Sequence, residues 1–146
     1  MPAYDTSIRI ARPLAEVFTI LSDVATWPRW MPVEAMVPID PGAVRVGMRA
    51  SGLMAEGSRR APFSVEITEL EPDRRIGFKT LSGPVDWAGS WEARAIDAGT
   101  TEVRSLGTMR LRGIGRVLEP LMGAEVRRNE AAELGKLRTL LEGAAG

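Results

Sequence analysis

Apolar and polar residues alternate with period two over most of this chain, and a helical period replaces the alternation only near its two ends. Tyr4, Thr6, Ile8 and Ile10 share one face between polar neighbours, which predicts a strand over Tyr4–Ala11. Pro13 opens a helix carrying Leu14, Val17, Phe18 and Leu21 at helical spacing, ending near Ser22 and Asp23. The segment Asp23–Pro32, with Trp27, Pro28 and Trp30, reads as a second short helix or a tight turn. Six strands follow: Val33–Ile39, Val46–Ala55, Pro62–Leu70, Arg75–Leu81, Val85–Ile96 and Thr100–Arg112. Turn clusters such as Asp40-Pro41-Gly42 and Ser82-Gly83-Pro84 separate them. Links this short imply antiparallel hairpins, because a parallel crossover needs a dozen or more residues. Gly115–Glu142 returns to helical periodicity, and from Pro120 to its end would be about 35 Å long at roughly 1.5 Å per residue. A helix of that length needs a large surface to bury its stripe, and the sheet is the surface available. The predicted architecture is α+β: one domain over residues 1–146, with a curved antiparallel sheet of six to seven strands gripping a long C-terminal helix and two short helices after the first strand.

Alternation also assigns the faces. Phe63, Val65 and Ile67 oppose Ser64, Glu66 and Thr68; Ile76 and Phe78 share a face; Trp87, Gly89, Trp91 and Ala93 oppose Asp86, Ser90 and Glu92. Val103, Ser105, Gly107 and Met109 continue the apolar face, as do Met48, Ala50, Gly52 and Met54. One side of the sheet is therefore buried. Its glycines either let the sheet curve around the helix or leave a cavity, and the two are compatible. The candidate cavity residues on the sheet are Trp87, Trp91, Phe63, Phe78, Met48, Met109 and Ser105. Trp27 and Trp30 are expected to cap the cavity's mouth or to pack the short helices. Methionine suits such a wall because its thioether repacks around varied shapes, although plain core filling explains it equally well.

On the C-terminal helix, Leu118, Leu121, Met122, Val126, Leu137, Leu140 and Leu141 define an apolar arc. Asn129, Glu130 and Glu133 fall inside that arc. Either they snorkel to its edge, or they project into a partly hydrated cavity and bond a ligand. Met122, Val126, Asn129 and Glu133 complete the candidate site.

Composition narrows the chemistry. Lys plus Arg and Asp plus Glu both number 19, so the formal charge is zero and no overall positive field favours nucleic acid. With no cysteine and no histidine, thiol nucleophiles, Ser-His-Asp triads and nearly every zinc site are excluded. No metal or cofactor is expected. Gly113-Ile114-Gly115 lacks the third glycine and the strand–helix–strand context of a dinucleotide fingerprint. Arg127-Arg128 reads as a solvated basic face. No stretch is long and apolar enough to span a bilayer and no targeting segment is visible, so a cytoplasmic protein is expected. The oligomeric state is left open.

The element order, the stretch Ile10-Ala11-Arg12-Pro13-Leu14-Ala15-Glu16-Val17-Phe18, the loop residues Asp23, Trp27, Pro28 and Trp30, and Gly89-Ser90-Trp91 before Gly99-Thr100 resemble the START-like superfamily. Its members include polyketide cyclases, lipid-transfer domains and pathogenesis-related allergens. The central hairpin, Val65–Pro72 followed by Arg74-Arg75, fits the same pattern. The resemblance implies a helix-grip fold and a ligand cavity between sheet and helix, but its motifs are structural and carry no catalytic signature. The expected function is binding or transport of a hydrophobic small molecule such as a lipid, isoprenoid, quinone or aromatic polyketide. The alternative is a cyclase, aromatase or dehydratase in which Glu133, Glu130 or Tyr4 moves protons. A protein-interaction module is a third reading, with no residue pattern specific to it.

Overall fold

Residues 3–56, 58–111 and 123–143 are described by a computed structural model. Strand β1 (Ala3–Ile10) leads into helix α1 (Leu14–Leu21) and a 3-10 helix (Val24–Arg29). Strands β2 (Val33–Pro38), β3 (Arg49–Glu56), β4 (Arg59–Glu71), β5 (Arg75–Ser82), β6 (Val85–Asp97) and β7 (Thr100–Leu111) follow, and helix α2 spans Gly123–Gly143. All seven strands form one antiparallel sheet in the order β1-β7-β6-β5-β4-β3-β2. This is the helix-grip arrangement, and each successive pair from β2 onward is a hairpin.

Strand β3 starts three residues later than the alternation suggests, because Gly47 takes a positive φ of 90° and turns the chain. Asp40 then holds the start of the strand, accepting from the Arg49 backbone N–H at 2.9 Å and from its guanidinium at 2.8 and 3.1 Å. Strand β2, at one edge, carries a bulge between Glu34 and Val37, with Ala35 at φ 54°. Such a bulge bends an edge and blunts it against further pairing.

The buried face follows the alternation: Phe63, Val65, Ile67, Ile76, Phe78, Trp87, Trp91, Ala93 and Val103 are all in the core. The outer face carries cross-strand ion pairs, including Arg94–Glu102 at 2.9 Å and Arg75–Glu69 at 2.9 Å. Exposed pairs of this kind contribute little stability individually.

Helix α2 packs mainly over β1, with lesser contact to β7 and the 3-10 helix. Val126, Glu130, Glu133, Leu134, Leu137 and Leu141 are buried, a spacing of three and four that keeps one stripe inward. Arg12 fixes the far end of the helix, donating to the carbonyls of Leu141 at 3.1 Å and Glu142 at 3.0 Å. Those carbonyls belong to the last turn and have no partner within the helix. Glu142 answers by accepting from the Ala11 backbone N–H at 2.8 Å. The expected helix start at Gly115, with Leu118, Pro120, Leu121 and Met122, lies outside the described residues.

The space at the sheet glycines is filled. Tyr4, Gly107 and Gly89 lie side by side across β1, β7 and β6, and the Tyr4 hydroxyl occupies the room that two missing Cβ atoms leave. A Cβ at Gly89 would come within 2.5 Å of that oxygen, and one at Gly107 within 2.6 Å. Met36 and Phe63 similarly crowd Gly52. These glycines admit neighbouring side chains rather than a ligand.

Candidate functional site

Two Trp residues from the short helical segment reach the middle of the sheet. Asp23 accepts from the Ala25 backbone N–H at 3.1 Å and starts the 3-10 helix. Trp27 then points inward, its indole N–H donating to the Leu21 carbonyl at 3.1 Å. Trp91 sits among three rings: centroids lie 5.4 Å from Trp27, 5.1 Å from Trp30 and 5.1 Å from Phe78. Trp27 and Trp30 are each 1% exposed, so they build the core beneath the site and do not cap its mouth. Phe78 passes the cluster on to Trp87, edge to face at 4.9 Å.

Beyond Trp87 the packing opens. A partly enclosed cavity of about 160 Å³ lies between the sheet and α2. Its sheet side is made by Met54, Ala55, Val85, Trp87 and Met109, its edge by Pro32 and Val33, and its helix side by Val126, Asn129, Glu130 and Glu133. The walls are mostly apolar. Among the described lining residues there is no Lys or Arg.

The sequence-predicted residues divide accordingly. Trp87, Met109, Val126, Asn129 and Glu133 come together on this cavity, joined by Glu130. Asn129 is exposed and stands at the rim. Trp91, Phe78 and Phe63 lie in the core and are not among the described walls. Met48 lines a separate recess with Ser22, Val24 and Val44. Ser105 sits behind Glu130, its hydroxyl donating to Glu130 Oε2 at 3.3 Å. Met122 lies outside the described residues. Alternation could have found Val85, two residues before Trp87. Pro32 and Val33 follow a non-periodic turn and gave no such signal.

The polar end of the cavity is a carboxyl pair. Glu130 is 1% and Glu133 5% exposed. Three residues apart on α2, they share a face and each perturbs the other's ionisation. Burial drives both carboxyls above their ordinary range, and for Glu133 the neighbouring Glu130 adds to the rise, only partly offset by Lys136. Two adjacent buried carboxyls cannot both ionise cheaply, so the pair keeps a proton at neutral pH. Among the described residues, Glu133 Oε2 is buried and has no hydrogen-bond partner. Nearby, the Tyr4 hydroxyl accepts from the Trp87 indole N–H at 2.7 Å. Burial and the Glu130 charge lift Tyr4 far above the usual phenol range, so it stays neutral. Tyr4 is not among the described walls and acts by fixing Trp87.

This arrangement makes stability pH-dependent. Glu133 ionises near 4.5 when unperturbed and is pushed up to about 10 in the fold. Between those values the folded state holds a proton that the unfolded chain releases, so stability falls as pH rises. Glu133→Gln removes the titration. Thermal melts are expected to show the wild type losing ground to this variant between about pH 5 and about pH 8. Parallel curves would mean that Glu133 is ionised throughout.

The family described as polyketide cyclase / dehydrase and lipid transport matches residues 1–142. The chain belongs to this family. Solved structures carry the same fold. A protein from Thermus thermophilus superposes with a TM-score of 0.80 at 19% identity, over 99% of this chain and 100% of that one. The Zhui aromatase/cyclase from Streptomyces sp. R1128 gives 0.77 at 19% identity, over 99% and 95%. The di-domain ARO/CYC protein BexL from the BE-7585A biosynthetic pathway gives 0.72 at 23% identity, over 97% of this chain and 47% of that one. At such identities the likeness is one of fold. No curated protein sequence matches significantly. As a member of the polyketide cyclase / dehydrase and lipid transport family, the chain places its cavity between the sheet and the C-terminal helix. Among the described residues no group of three or more metal-ligating side chains converges, and no helix is long and apolar enough to cross a membrane.

Proposed function

We propose that this protein binds one small, largely apolar molecule in the sheet–helix cavity, acting as a cytoplasmic carrier or receptor. The supporting observation is the cavity itself: about 160 Å³, walled by Met, Val and Trp, with polar groups confined to the α2 side. Small-molecule sites are commonly apolar with a few polar groups that set orientation. The volume suits a ligand of about one ring, since an apolar protein cavity of about 150 Å³ holds benzene. A polycyclic polyketide or a long acyl chain would require the cavity to widen.

Trp87 is the one Trp among the described walls, which supplies the assay. Toluene or indene titrated into the protein is expected to change Trp emission saturably. Trp87→Phe should abolish most of that change while the fold persists, because the other three Trp residues lie in the core. A wild type that responds to no ring-sized apolar compound would remove this reading.

A second reading rests on the carboxyl pair. A buried acid holding its proton at neutral pH beside an apolar cavity is suited to general acid–base work on a bound carbonyl compound. In that case Glu133→Gln would keep ligand binding and lose turnover by about a hundredfold or more. A pure carrier would have no turnover to lose.

A further inference from the structure

We propose that Glu133 makes the cavity selective for ligands bearing a hydroxyl or amine hydrogen-bond donor, and that the cavity turns away carboxylates. The inference rests on the ligand-binding reading and adds the ligand's chemical class. Two buried acidic side chains meet at one end of an apolar space whose described walls contain no cation. Ser105 donates to Glu130 at 3.3 Å, and Glu133 stands three residues further along the same face of α2. Glu133 lines the cavity, and among the described residues its Oε2 is a buried oxygen without a hydrogen-bond partner, able to accept from a ligand's donor.

The groups around Glu133 fix the sign of this preference. On α2 they are Glu130 and Lys136; from β1 comes the neutral phenol of Tyr4. Lys136 is exposed and is not among the described walls. An unpartnered buried acceptor carries a desolvation cost that an O–H or N–H donor from a ligand removes. A ligand carboxylate would instead bring a second set of acceptors, and a negative charge, against the pair.

Four molecules with the same ring separate the possibilities by calorimetric titration: toluene, benzyl alcohol, benzylamine and benzoate. In the wild-type protein, toluene, benzyl alcohol and benzylamine are expected to bind, and benzoate at least about a hundredfold more weakly than the alcohol. In Glu133→Leu, affinity for the alcohol or the amine should fall about tenfold, while toluene binds as before or better. Benzoate binding as well as benzyl alcohol would overturn the proposal, as would an unchanged ratio of alcohol to toluene affinity in Glu133→Leu. Either result would leave the apolar cavity intact as a binding site. If none of the four binds, the ligand-binding reading fails and this proposal with it. Should Glu133→Leu not fold, the wild-type contrast between benzoate and benzyl alcohol still decides.

Discussion

Trp91→Ala is expected to cost about 3–5 kcal/mol, the range for deleting a buried aromatic ring. Trp91 is 1% exposed and touches the rings of Trp27, Trp30 and Phe78. Removing it strands three large side chains contributed by the 3-10 helix, the residue that ends it, and β5. Domains of this size have only about 5–15 kcal/mol of net stability, so the variant should melt about 10 °C lower or more. Urea denaturation monitored by far-UV circular dichroism gives the value directly. A loss below about 1 kcal/mol would mean that Trp91 is not part of a packed cluster, and would return it to the candidate ligand residues.

The second large effect belongs to a glycine. An added Cβ at Gly107 would approach the Ala88 carbonyl closer than contact allows, the Gly89 Cα at 2.7 Å and the Tyr4 hydroxyl at 2.6 Å. Two of these are backbone atoms in paired strands and cannot move independently. Gly107→Ala should therefore cost about 3 kcal/mol, the upper range of overpacking. The same substitution at Gly135, where among the described residues nothing beyond the helix's own backbone and the neighbouring residues lies within 4 Å of an added Cβ, should stabilise the protein by about 1 kcal/mol. Chemical denaturation of the two variants side by side checks both signs. Equal effects would contradict the close packing of Tyr4 across β7 and β6.

The contrast between these residues shows what periodicity can reveal. Alternation placed Trp87 and Trp91 on the same face, correctly, because successive side chains of a strand point to opposite sides. It could not separate the ring buried under other rings from the ring at a cavity wall. That difference depends on Trp27 and Trp30, which arrive through a short turn with no periodic pattern. The helix raised the opposite problem. Glu130 and Glu133 stood out as polar groups within an apolar arc, and the fold buries both. Asn129, one residue away, turns to the rim, because each residue advances a helix by roughly 100°. Leu134 is fully buried and completes the inward stripe, though the apolar arc was drawn without it. The glycines of β6 and β7 were legible as a place of close approach, but not what approaches. The answer is Tyr4, which is distant in sequence and is brought alongside by β1 pairing with β7.

The claim on which the functional account rests is that a ring-sized molecule enters between the sheet and the C-terminal helix. Crystals soaked in bromobenzene test it by anomalous scattering from the bromine. The account predicts one strong bromine peak in the space enclosed by Met54, Trp87, Met109 and Val126, within reach of Glu133. Peaks confined to the molecular surface, or a cavity that remains without one at saturating bromobenzene, would contradict it.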